Sequence, residues 1–116
     1  HGKDEAKLKQ LAEIEIGQME LLNELLQGLN EVEETNGTLL DNTMVLYGCH
    51  MGDANIHNNK NLPVILAGGG FKHGQHLAFS SDNNAPLANL YVNMLENMGL
   101  EQTKFASSTG TLTGLS

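Results

Sequence analysis

The sequence predicts an α/β fold in which short apolar strands lie in a layered sheet between helices. Three observations carry this expectation. A strongly periodic helical pattern fills the first third of the chain, two short runs of strand character follow, and a second amphipathic pattern comes after them. A length of 116 residues fits one domain. Trp is absent and aromatics are sparse, so the core must rest on Leu, Ile, Val and Met.

Asp4 to about Thr35 reads as one long helix. Leu8, Ala12, Ile16, Met19, Leu22, Leu26 and Leu29 recur three or four residues apart, and Leu11, Ile14, Leu21, Leu25 and Val32 widen that face. Asp4 and Glu5 suit the positive end of the helix dipole, and Asn36-Gly37 is the expected stop. Gly17 and Gly28 each weaken the helix by about 1 kcal/mol relative to Ala, so a helical hairpin broken at either is the alternative. A face this wide needs a partner. Packing on the chain's own sheet is the expectation; the remainder of a longer chain or a second copy, giving a homo-oligomer through the long helix, is the alternative. The acidic run Glu31, Glu33, Glu34 reads as a solvated helix end.

Thr43–Tyr47 (TMVLY) and Leu62–Ala67 (LPVILA) read as interior strands covered on both faces, with Pro63 near the start of the second, where a missing N–H is tolerated. Gly68-Gly69-Gly70 ends that strand. After a polar loop over Ser80–Ala85, Pro86 opens a helix with Asn84 or Ala85 as cap. Leu87, Leu90, Tyr91, Met94, Leu95 and Met98 form its apolar face, and Gly99 closes it. In the Ser-, Thr- and Gly-rich end, Phe105, Leu112 and Leu115 either anchor a short strand or belong to a disordered tail.

The formal charge of −8 argues against a nucleic-acid partner and against an anionic membrane surface. No apolar run is long enough for a membrane span, and no signal peptide is visible. The chain starts at His1 rather than Met, so it reads as processed or partial. His1-Gly2 is either a cloning remnant or the end of an upstream motif. Cys49 is the lone cysteine, so no internal disulfide forms.

Candidate chemistry concentrates between residues 42 and 76, which hold Cys49 and four of the five His. Cys49-His50-x-x-Asp53-x-x-x-His57 supplies residue types that bind transition metals, placed where an open parallel α/β sheet puts its sites. His50 and His57 meet only if the loop folds back. The competing reading is a polar loop whose side chains hydrogen-bond backbone groups, which Asn55, Asn58, Asn59 and Asn61 favour. Cys49 beside His50 is not a thiol–imidazole pair, since neighbours on a strand point apart; a buried, inert Cys is expected. Gly68 to Gly74 lacks the Lys-Ser/Thr and the helix of a phosphate loop and reads as a turn, although Lys72, His73 and His76 could face an anion. Asn36-Gly37-Thr38 fits a glycosylation acceptor but is read as the helix stop.

The order of helix, strand with His just after it, His ahead of a Pro-Val strand, glycine turn and closing helix resembles the carboxyl-terminal part of the alkaline phosphatase and sulfatase superfamily. LLDNTMVLYGCHMGDANIHNNKNLPVILAGGGFKHGQHLAF and PLANLYVNMLENMGLE are similar to the end of a bacterial family named for a His-x-x-Ser-His-His motif. The resemblance implies a partial alkaline phosphatase-like layered sheet belonging to a hydrolase of phosphate or sulfate esters, in the bacterial periplasm or cell envelope. It places His50 on the paired metal-binding His, His57 on the later His and Cys49 where an Asp is usual, with Asp53 a further candidate. A thiol there suits zinc better than magnesium or calcium, although another divalent metal remains open. The nucleophile and the first ligands would lie upstream of His1, so this chain alone is not expected to be a competent enzyme. A non-catalytic structural or envelope-associated domain of the same fold, or a self-associating helical fragment, is the alternative.

Overall fold

The computed structural model describes residues 2–115. The fold is mixed α/β. Helix α1 spans Glu5–Glu31, a two-residue hairpin pairs β1 (Glu33–Glu34) with β2 (Gly37–Thr38), strands β3 (Met44–Gly48) and β4 (Val64–Gly68) pair with each other, and α2 spans Leu87–Asn97.

Helix α1 is a single rod of about 40 Å, unbroken at Gly17 and Gly28. Asp4 caps it, its carboxylate accepting the Lys7 N–H at 3.0 Å. The helix ends earlier than the sequence predicts. Val32 leaves helical geometry, and Thr35-Asn36 turns the β1–β2 hairpin, with Gly37 already in β2, so Asn36-Gly37 is not the helix stop. Leu40 then donates its N–H to the Leu29 carbonyl at 3.1 Å and Leu39 donates to Val32 at 2.8 Å, folding the chain back along the helix end. The Asp41 carboxylate accepts both the Thr38 N–H at 2.7 Å and the Thr38 hydroxyl at 3.0 Å, which closes this corner.

Strands β3 and β4 form an antiparallel ladder, Met44 opposite Gly68 through Gly48 opposite Val64. This corrects the expectation of parallel strands. Residues 49–63 connect them without the crossover helix that parallel pairing requires. The strands are also not interior. Each is the other's partner in a two-stranded sheet, and Ile65 stays exposed. Pro63 falls just ahead of β4 rather than inside it.

The expected packing of α1 on this sheet is only partial. Tyr47 donates its hydroxyl to the Gln18 amide oxygen at 2.9 Å, and Leu22, Leu26 and Leu29 are half-buried, but no residue of α1 is fully buried. Leu8, Leu11, Ile14, Ile16, Leu21 and Leu25 are exposed. The sheet is too narrow to cover the helix.

The buried core lies on α2, where Ala88, Leu90 and Val92 are enclosed and Val92 is 0% exposed. The helix ends in a Schellman arrangement: Gly99 at φ +78° donates to the Glu96 carbonyl at 2.9 Å, and Leu100 donates to Leu95 at 3.0 Å. No side chain caps the other end, so the expected capping by Asn84 is absent.

Three asparagines one turn apart bind the rest of the chain to α2. The Asn89 amide accepts the Thr109 N–H at 2.8 Å, while its own N–H donates to the Thr109 hydroxyl at 3.3 Å. Asn93 accepts from the Leu112 N–H at 2.7 Å and donates to the Leu112 carbonyl at 3.1 Å. Asn97 donates to the Gly69 carbonyl at 2.9 Å. The carboxyl-terminal segment is therefore neither strand nor free tail. It is irregular chain held by side-chain amides, with Phe105 packed edge-on against Tyr91 at 5.8 Å and Ser108 buried.

Among the described residues no helix is long and apolar enough to cross a membrane.

Replacing Asn93 with Ala strands the Leu112 N–H and carbonyl at once. It should lower stability by about 1–3 kcal/mol in urea titration and remove hydrogen-exchange protection at the Leu112 amide. The two Thr38 hydrogen bonds, the backbone one foremost, hold the Asp41 carboxyl below its ordinary value. A depressed folded pKa means stability that is complete above the ordinary carboxylate value and is lost as pH falls through the lowered one. NMR titration should therefore find the Asp41 midpoint below that of an unstructured Asp.

Candidate functional site

The connection from β3 to β4 carries Cys49, His50, Asp53 and His57, and it does fold back on itself. Asp53 and Asn58 form an antiparallel bridge: Asn58 donates its N–H to the Asp53 carbonyl at 2.9 Å, and Gly52 donates to the Asn58 carbonyl at 2.8 Å. Side chains tighten the loop from within. Asp53 Oδ1 accepts the Asn55 N–H at 2.9 Å, and Asn58 Oδ1 accepts the Lys60 N–H at 2.9 Å, both local turns typical of these residue types. His57 and Asn61 adopt left-handed backbone at φ +53°, which turns the chain toward β4.

Glycine is required at the throat of this loop. A Cβ on Gly52 would run into the Lys60 carbonyl oxygen. The start of the chain also reaches the loop. Gly2 donates its N–H to Asn55 Oδ1 at 2.7 Å, which lays α1 antiparallel to β3 from the loop down to Leu40. His1 lies outside the described residues.

Within this frame His50 and His57 are exposed, Asp53 is half-buried, and Cys49 is exposed rather than buried. The Cys49 sulfur accepts the Met51 N–H at 3.4 Å, so the expected buried Cys is corrected: β3 ends at Gly48 and the thiol sits just beyond the sheet. Among the described residues, no three His, Cys, Asp or Glu side chains come together in a group that could hold a metal ion. One Asp53 oxygen is already engaged by Asn55. The donors on this loop therefore do not amount to a complete site by themselves.

The glycine turn is built differently from a phosphate loop. Gly68, Gly69 and Gly70 lie at φ +71°, +65° and +71°, and no helix follows them. A Cβ on Gly68 would collide with the carbonyl oxygens of Thr43 and Leu40, and Gly69 donates its N–H to Leu40 at 3.0 Å. His73 Nε2 donates to the Gly68 carbonyl at 3.0 Å, which commits that ring to the turn. Lys72 donates its N–H to the Leu115 carbonyl at 2.9 Å, and the Gln75 amide reaches the carbonyls of Lys72 and Gly114. Lys72 and His76 are exposed.

Sequence reasoning missed the asparagines of α2. Their signal was present, since Asn89, Asn93 and Asn97 are spaced by four and share one helix face.

No protein-family model matches the chain, and neither the curated proteins nor the solved structures yield a match.

Gly52→Ala should open the folded-back loop. The expected readout is faster hydrogen exchange at the Asn58 amide, with the β3–β4 ladder amides unchanged.

Proposed function

We propose that this chain is the carboxyl-terminal portion of a larger alkaline phosphatase-like protein, a metal-dependent hydrolase of phosphate or sulfate esters, and that it is inactive by itself. The observation that carries the reading is surface. The chain exposes 8611 Å², against roughly 6,200 Å² for a compact monomer of this mass. Its radius of gyration is 16.5 Å, against about 13 Å for a compact chain of this length. The excess exceeds what a standard protein interface buries. Much of it is apolar side chain on α1, which a larger domain would cover.

The resemblance supplies the chemistry of the proposal. His50 and His57 sit on one connection that folds back at Asp53 and Asn58. They would contribute imidazole donors to a site whose other ligands come from outside this chain, with Cys49 and Asp53 as further candidates. A divalent metal such as zinc would supply Lewis-acid polarisation of the ester oxygen. The described residues gather no complete donor set, and the proposal therefore assigns hydrolysis to the parent protein.

Metal analysis tests the assignment. A longer parent should retain about one or two zinc equivalents, and His50→Ala with His57→Ala should reduce that content. Equal metal in wild type and double variant sinks the ligand assignment. Turnover of a generic phosphate or sulfate ester should be present for the parent and absent for this chain; an inactive, metal-loaded parent favours the non-catalytic alternative.

A further inference from the structure

The turn between β1 and β2 presents an Asn-Gly pair at the tip of the hairpin. Thr35 and Asn36 form the turn, Gly37 begins β2, and all three are exposed. The fold itself requires glycine at the second position of the pair. Gly37 lies at φ +107°, and a Cβ there would come 2.6 Å from Asp41 Oδ2, the oxygen that accepts the Thr38 N–H. The corner that returns the chain along α1 thus places a residue without a side chain directly after Asn36. A side chain at that position is what ordinarily hinders attack by the main-chain nitrogen on the preceding Asn.

We propose that Asn36 is a site of spontaneous covalent modification, converted through a cyclic imide to aspartyl and isoaspartyl forms with water as the only co-reactant. Hydroxide takes the Gly37 amide proton, and the nitrogen attacks Asn36 Cγ within a five-membered ring, a proximity that makes the step intramolecular. The N–Cγ bond forms, the Cγ–Nδ2 bond breaks, and Nδ2 leaves as ammonia with a proton from water. Water then opens the imide at either carbonyl, leaving one carboxylate and a main chain that runs through the α or the β carbon. No electron is transferred. Gly37 pairs with Glu34, so the ring closes when the tip opens. A hairpin of two residues a strand opens at little cost.

The structure singles out this position. No other Asn precedes a glycine. Asn23 and Asn30 lie within α1, where the following amide is tied into the helix. Asn42, Asn58, Asn89, Asn93 and Asn97 have their side chains in hydrogen bonds. The product also changes the corner. The new carboxylate joins Glu33, Glu34 and Asp41, and the isoaspartyl form adds a main-chain carbon to a two-residue turn, which breaks the register of Glu34 with Gly37. The Leu39 and Leu40 hydrogen bonds to the end of α1 follow directly and loosen with it. The inference uses no residue of the His-bearing loop and does not rest on the hydrolase reading.

Peptide mapping by mass spectrometry of the full chain, aged at neutral and at mildly alkaline pH, checks it. Loss of the amide should appear at Asn36 before any other Asn and faster at the higher pH, with the peptide accepting methyl groups from an isoaspartyl methyltransferase. Asn36→Ser should remove that methyl acceptance. The rate in the folded chain should stay within about tenfold of that in the urea-unfolded chain, because the tip opens readily. Earlier loss at another Asn overturns the proposal, and so does a rate indifferent to pH. A larger gap between folded and unfolded rates shows that the hairpin protects Asn36 and overturns it equally. The isoaspartyl form, separated by its extra negative charge, should exchange the Leu39 and Leu40 amides faster than the unmodified chain; unchanged exchange overturns the link to the corner.

Discussion

The asparagine amides of α2 are the interactions on which the folded carboxyl-terminal half depends. This half has few fully buried large apolar residues among those described and almost no regular structure outside one helix. Its backbone groups still need partners wherever water is excluded. Asn89 and Asn93 supply them in two-point fashion, each amide meeting a donor and an acceptor of the passing chain. Asn97 adds a single donated bond, to the Gly69 carbonyl of the glycine turn. One helix face therefore holds two segments that no strand pairing could hold. Ala88, Leu90 and Val92 of the same helix are buried.

The glycine turn is the junction between this unit and the sheet. Gly68 closes the β4 ladder against Met44, and its neighbour Gly69 takes bonds from both directions, donating to Leu40 and accepting from Asn97. A Cβ on Gly68 would meet backbone carbonyls and one on Gly69 the Met44 side chain, which gives these two glycines a packing role. The contrast with α1 is sharp. That helix is well capped and continuous, yet it touches its own sheet along one narrow strip. The compact end of the molecule is satisfied internally, and the helical end is apolar surface held out to solvent.

The His-bearing loop was legible as a place but not as a shape. Its asparagines do make the local turns that their side chains favour, and those turns produce the fold-back that would bring the His50 and His57 segments toward each other. The exposure of Cys49 was not legible, because it depends on what packs beside the end of β3, which runs one residue further than expected, to Gly48. The direction of the strands was also hidden. Apolar runs such as MVLYG and VILAG look alike in parallel and antiparallel ladders, and only the absence of a crossover helix distinguishes them.

By itself the sequence determined the elements whose signals are local. These are α1 with its Asp4 end, the two apolar strands, the turn at Gly68 to Gly70, and α2 closed by Gly99. Each follows from periodicity, capping or a backbone angle, which are properties of a few neighbouring residues. Tertiary structure decided the antiparallel pairing, the hairpin at Asn36-Gly37, the anchoring of the last residues by amides of α2, and the bare face of α1. Those outcomes depend on which distant surfaces are present to be covered. A pattern of apolar residues states that a face wants a partner, and only the folded chain reveals that the narrow sheet is not it.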